Sequence, residues 1–331
     1  MPPEKSGAES HVYDPETSLR DAIASGDPTD AVVAMTELGR LYVSRGQFAE
    51  AEALFRAAAA SGEPVAAATS LDDLGVLLVR QGRIDEAEAF FRQGIDLREP
   101  QTTSVLLVHL ASLFDDQGRM EEAEGALLEA IRSAGPDGLP WARFNLGVLL
   151  RDQGRTLEAE AAFRLAGESQ HATIAPVAMV ALGHLLTDEG RLAEAEEAYR
   201  RAISMNDPDE SPTAMIDLGL LLEKENRQDE AEALFRMAMD ASQPAHAGKG
   251  MLALGALLYN QGRVGEARAC WLSALQSRVT DVSRTAGNNL AAVGTLHETT
   301  GEVLRSGLER IRAKLDRRHR RPRGGDDSRG P

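Results

Sequence analysis

The side chains suited to acid–base, nucleophilic or metal chemistry are scattered along this chain. His11, His109, His171, His184, His246, His297 and His319 stand far apart, without the helical spacing of paired metal ligands. Cys270 is the only cysteine, which excludes an intramolecular disulfide and a cysteine-rich metal site. Beside Trp271, it reads as a small packed residue rather than a nucleophile. Glu50, Glu86 and Glu122 recur at one structural position. Such recurrence fits helix capping, or a ladder of charge pairs with the preceding arginines, and not one carboxylate pair for proton transfer. The glycines are isolated, so no phosphate-cradling loop is formed. Catalysis needs one positioned constellation, and none is found. The expectation is a non-enzyme with no cofactor and no metal.

The elements that carry these residues follow a strict period. Leu38-Gly39, Leu74-Gly75, Leu110-Ala111, Leu146-Gly147, Leu182-Gly183, Leu218-Gly219 and Leu254-Gly255 begin seven copies of one phrase, 36 residues apart. In the second copy, Leu71, Leu74 and Leu78 mark one helical face. Gln81-Gly82-Arg83 interrupts it, and the pattern resumes with Ala87, Phe90, Phe91 and Gly94. Each unit therefore reads as helix, tight turn, helix. The stop glycine becomes Asn226 in the sixth unit, the next-best residue for a left-handed backbone. Prolines such as Pro64, Pro100 and Pro244 mark where one unit hands over to the next.

Glycine within the first helix is unfavourable by about 1 kcal/mol relative to alanine. Its recurrence predicts close contact with a neighbouring helix. Ala51 and its six equivalents are expected to face that contact. Phe55, Phe91, Leu127, Phe163, Tyr199, Phe235 and Trp271 are expected to fill the gap above.

The chain of 331 residues has an aromatic content of 4%, too low for one large aromatic core. A repeat array avoids that need, because each unit contacts only its neighbours. No signal-like or membrane-spanning apolar run is present, and a cytoplasmic location is expected. Residues 1–309 hold 49 acidic and 27 basic side chains, a net of −22. Residues 310–331 hold nine basic and three acidic, a net of +6. The acidic body argues against a nucleic-acid groove. It serves solubility, or basic partners.

The phrase resembles the tetratricopeptide repeat. The first unit supplies Met35, Leu38-Gly39, Tyr42, Gly46, Ala51, Phe55, Ala58 and Pro64; the fifth supplies Met179, Leu182-Gly183, Leu186, Gly190, Ala195, Tyr199 and Ala202. The resemblance covers residues 32–283. It departs in period, which is usually about 34 residues, and in lacking the early tryptophan. Met35, Leu71, Leu107, Arg143, Met179, Met215 and Met251 stand there instead. The resemblance implies an all-α, right-handed superhelical solenoid of antiparallel helix pairs. First helices would line a concave side that binds a protein or peptide segment.

On that implication the binding face comprises Arg40, Val76, Arg80, Asp116, Trp141, Phe144, Val148, Arg151, His184, Leu220, Tyr259 and Asn260. Trp141 and Phe144 are either binding anchors or inter-repeat packing. Arg151 and His184 are either readers of a ligand or solvated groups. The carboxylate clamp of chaperone-binding members is not reproduced, since the matching positions are Thr36 and Arg40, Asp72 and Val76, and Val108 and Ser112. An apolar or basic segment fits better than an acidic tail.

Beyond the array, residues 1–10 read as disordered and 11–31 as an N-terminal capping helix. Residues 284–315 read as a degenerate eighth pair. Residues 316–331 form a basic tail that suits nucleic acid, an anionic surface, the acidic body, or nothing specific. Self-association is a further open reading.

Overall fold

Proline sets the start of most first helices, because its fixed φ suits the first turn and its missing N–H is not needed there. The computed structural model describes residues 14–25, 27–133 and 139–292. A short α1 (Pro15–Ala24) precedes seven helix pairs. These are α2 (Pro28–Ser44) with α3 (Phe48–Ala59), α4 (Pro64–Arg80) with α5 (Ile84–Asp96), and α6 (Pro100–Asp116) with α7 (Met120–Ser133). Then come α8 (Pro140–Asp152) with α9 (Thr156–Gly167), α10 (Ile174–Asp188) with α11 (Leu192–Ser204), α12 (Glu210–Lys224) with α13 (Gln228–Met239), and α14 (Pro244–Asn260) with α15 (Val264–Leu275). The last described helix is α16 (Thr280–Ala292). No strand occurs among the described residues. The expectations for residues 1–10, 293–315 and 316–331 lie outside them.

The chain divides into two compact units, residues 1–211 and 212–331. In the first, each first helix packs against its own second helix, and α2, α4, α6 and α8 each pack also against the next first helix. In the second, α14 packs against α13, α15 and α16 in the same manner.

The stop works through backbone geometry. Gly82 has φ 73° and donates to the Val79 carbonyl at 3.0 Å, while Arg83 donates to Leu78 at 2.9 Å. Those bonds satisfy carbonyls that the ending helix leaves open. Asn226 adopts the same conformation at φ 63°, as its chemistry predicts.

Close helix approach at the glycine row is present, with one correction to the expected packing. The large residue lies directly over the glycine of its own repeat, rather than above a glycine–alanine contact. A Cβ on Gly75 would stand 2.3 Å from the Phe91 ring, and one on Gly183 would stand 2.4 Å from Tyr199. The alanines Ala51, Ala87 and Ala123 are fully buried. Only the third repeat pairs Ala111 with Leu127: the small side is larger and the large side smaller.

α1 packs against α2. Its Arg20 donates to the Tyr42 hydroxyl at 2.8 Å, Tyr42 donates to Glu16 at 3.0 Å, and Arg45 bonds the other Glu16 oxygen.

Candidate protein-binding face

Each first helix leaves one stripe uncovered at offsets of four, three and four. In α2 it is Val33, Glu37, Arg40 and Ser44. The equivalent stripe in α6 is Val105, His109, Ser112 and Asp116, and in α8 it is Trp141, Asn145, Val148 and Asp152. Because α2, α4, α6, α8 and α10 contact one another in turn, the stripes form a continuous face within the first unit. Arg40, Val76, Arg80, Asp116, Trp141, Val148 and His184 lie on it. Arg151 projects from its edge. In the second unit Leu220, Tyr259 and Asn260 are exposed at the corresponding registers.

Phe144 is placed differently. It is half-buried, packs on the cluster of Ala166, Ile174 and Ala178, and lies 5.8 Å from the Phe163 ring. Other members of its register turn inward too. Thr36 there is buried and shares a 2.9 Å hydrogen bond with Ser70, and Val108 and Val180 are also buried. Trp141 is the outward member of the aromatic pair, 45% exposed, and edge-on to Phe144 at 6.5 Å.

The sequence reading missed the register of Glu37, Asp73, His109 and Asn145. Its signal is the four-residue step from Val33, Thr69, Val105 and Trp141, which puts both registers on one face. Asp73 accepts from Arg40 at 2.8 Å, linking α4 back to α2. Burial pushes the Asp73 carboxyl up, against the pull of Arg40. Asp72 meets His109 at 2.5 Å, linking α4 forward to α6. Burial disfavours the His109 cation, but the Asp72 bond and charge outweigh it and raise its pKa. In the second unit Asn260 donates to Glu223 at 3.1 Å.

The polar groups of this face differ in how far they are already engaged. Arg151 is held by its neighbour Asp152 at 2.9 Å. The His184 ring stands edge-on to Tyr199 at 5.8 Å. Tyr259 lies tilted on Trp271 at 5.8 Å. Asp115 and Asp116 have no cation within ion-pair distance among the described residues. Burial first, then the charges of Asp152 and Asp116, push the Asp115 carboxyl up.

The recurrent glutamates prove to be structural. Arg155 forks onto Glu158 at 2.8 and 2.6 Å and reaches back to Glu124 of the previous repeat at 2.6 Å. Arg83, Arg119, Arg191 and Arg263 repeat this pattern with Glu86 and Glu52, Glu122 and Glu88, Glu194 and Glu160, and Glu266 and Glu232. The ladder joins successive second helices at their N-terminal turns. Cys270 is half-buried, and burial pushes its thiol up, opposite to the activation a nucleophile needs. No group of three or more His, Cys, Asp or Glu side chains among the described residues is placed to hold a metal. None of the described helices is long and apolar enough to cross a membrane.

Models of the tetratricopeptide repeat match residues 30–99, 108–172, 180–247 and 250–272. The chain belongs to the tetratricopeptide repeat family. A search of curated proteins finds no match. Among solved structures, this tetratricopeptide repeat chain is similar to Pseudomonas aeruginosa pilF, at 18% identity and a TM-score of 0.52, covering 69% of this chain and 99% of that one. It is similar also to a tetratricopeptide repeat protein from Parabacteroides merdae, at 18% identity and a TM-score of 0.49, covering 77% and 97%. BtubC from P. vanneervenii aligns at 19% identity and a TM-score of 0.48, covering 69% and 94%. At these identities the likeness concerns the fold.

Proposed function

We propose that this chain is a non-catalytic interaction scaffold that binds a protein or peptide segment on the uncovered stripes of its first helices. The observation that carries the reading is Trp141, a large aromatic 45% exposed on the first unit's face, in the first turn of α8. Val105 stands at the same register one repeat earlier, and Val148 lies two turns along the same helix. A tryptophan flanked by half-exposed aliphatics is the composition of a binding anchor. Family membership supports protein binding in general, and the acidic body disfavours nucleic acid as the ligand of this face.

The test is affinity capture from a native lysate by the full chain and by its Trp141→Ala form, with retained proteins identified by mass spectrometry. Circular dichroism confirms that both are folded. A partner held by the parent chain and lost with Trp141→Ala supports the reading. Retention that is indifferent to Trp141 but abolished by neutralising Arg317, Arg318, Arg320, Arg321 and Arg323 moves recognition to the basic tail.

A further inference from the structure

Repeat three carries an irregularity that the other repeats lack. Where the rest place an aromatic ring over glycine, repeat three has Leu127 opposite Ala111. A cavity of about 60 Å³ lies at this point, lined by Ala111, Ser112, Asp115, Leu127, Asn145 and Val148. One water needs roughly 10–15 Å³, so the space is a side chain's worth. Ser112, Asn145 and Val148 belong to the exposed stripes of α6 and α8, so the cavity opens on the proposed binding face.

Charge distinguishes the same place. On the two preceding repeats the acidic groups of the face have basic partners: Glu37 and Asp73 hold Arg40, and Asp72 holds His109. At the cavity mouth Asp115 has no such partner among the described residues, nor has Asp116 beside it. Asp152 adds a third carboxylate, shared with Arg151. A recess with aliphatic walls at Ala111, Leu127 and Val148, edged by uncompensated carboxylates, is the complement of an amphipathic side chain with a cationic end. Arginine suits it better than lysine, because its planar fork bonds two carboxylate oxygens at once.

We propose that the exposed face of α6 and α8 takes an arginine from an extended segment of a partner protein, its stem in the recess beside Val148 and its guanidinium on Asp115 and Asp116. This rests on the reading of the first-helix face as the protein-binding surface. It adds the chemistry of the segment bound.

The experiment is fluorescence anisotropy of the full chain with a labelled peptide of alternating alanine and arginine, beside a twin with lysine for arginine. The arginine peptide is expected to bind in a salt-dependent manner, and several-fold tighter than its twin. Asp115→Asn with Asp116→Asn is expected to weaken it at least tenfold. Ala111→Gly with Leu127→Phe restores the ring-on-glycine arrangement of the other repeats and fills the recess. It is expected to weaken binding several-fold while the thermal midpoint holds or rises. Unchanged affinity in both variants overturns the proposal. Equal affinity for the lysine twin overturns the assignment to arginine. Binding that tightens more than tenfold when the five tail arginines become glutamine makes the chain's own tail the occupant, and overturns the assignment to a partner. If the aspartate variants leave peptide binding unchanged while Trp141→Ala still abolishes partner capture, this inference fails and the reading of the face stands. If the aspartates control peptide binding while capture ignores Trp141, the recess stands and the wider reading fails.

Discussion

Two glycines in helices show how neighbours decide the effect of one methyl group. A Cβ on Gly75 meets the Phe91 ring at 2.3 Å, whereas one on Gly125 meets nothing within 4 Å. Gly75→Ala is therefore expected to destabilise by about 1–3 kcal/mol, as overpacking does. Gly125→Ala is expected to stabilise by about 0.5–1 kcal/mol, because alanine has the better helix propensity. Urea denaturation of the two variants checks the opposite signs. The glycine row was legible in the sequence because glycine in six of seven equivalent helices needs a packing reason. That the aromatic ring itself supplies it was not legible, since spacing gives the face but not the rotamer. Phe144 shows the same limit: type and position put it beside Trp141, and only packing against Ile174 and Phe163 turned it inward.

Between elements, two kinds of polar link respond oppositely to pH. Arginine bonds hold Glu86, Glu122, Glu158, Glu194 and Glu266 below the usual carboxylate range. A depressed carboxylate adds stability above its unfolded pKa, about 4.3, and loses it as pH falls through the folded value. The ladder should thus be insensitive between pH 5 and about 8 and weaken in acid. Arg155→Gln removes the link between α7 and α9. Hydrogen exchange at pH 7 is expected to show faster opening in those two helices, with a smaller change in α3 and α5. Uniform exchange throughout would show that the repeats do not depend on this link. The Asp72–His109 contact has the opposite sign. A raised histidine adds stability below its unfolded pKa, about 6.5, and loses it as pH rises through the folded value. The urea midpoint of the parent chain is expected to fall from pH 6 to pH 8.5 by more than that of His109→Gln. The ladder was anticipated from the recurrence of Glu50, Glu86 and Glu122, although its acceptors one repeat back were not. The His109–Asp72 contact escaped the sequence because their 37-residue separation is one more than the period, so the two belong to different registers.

For the molecule as a whole, the repeats carry the fold and their departures carry the individuality. The ladder has Gln47 instead of arginine in the first repeat and Arg268 instead of glutamate in the seventh, so its pattern stops at both ends of the seven repeats. α1 takes over at the start through Glu16 and Arg45. Helix pairs, turns and family were legible because seven copies state the same pattern. A partner leaves no such periodic mark, and its surface shows only where residues break the pattern, as at Trp141, Ala111 and Leu127. The uncovered first-helix stripe is not the sole exposed apolar surface: Leu157 on the second helix α9 is 80% exposed. The most direct measurement is photo-crosslinking in the native lysate, with a photoreactive amino acid placed at Val148 in one form of the full chain and at Leu157 in another. Partner adducts from position 148 and none from 157 are expected. Adducts from position 157 alone would contradict the central claim and assign binding to the second helices.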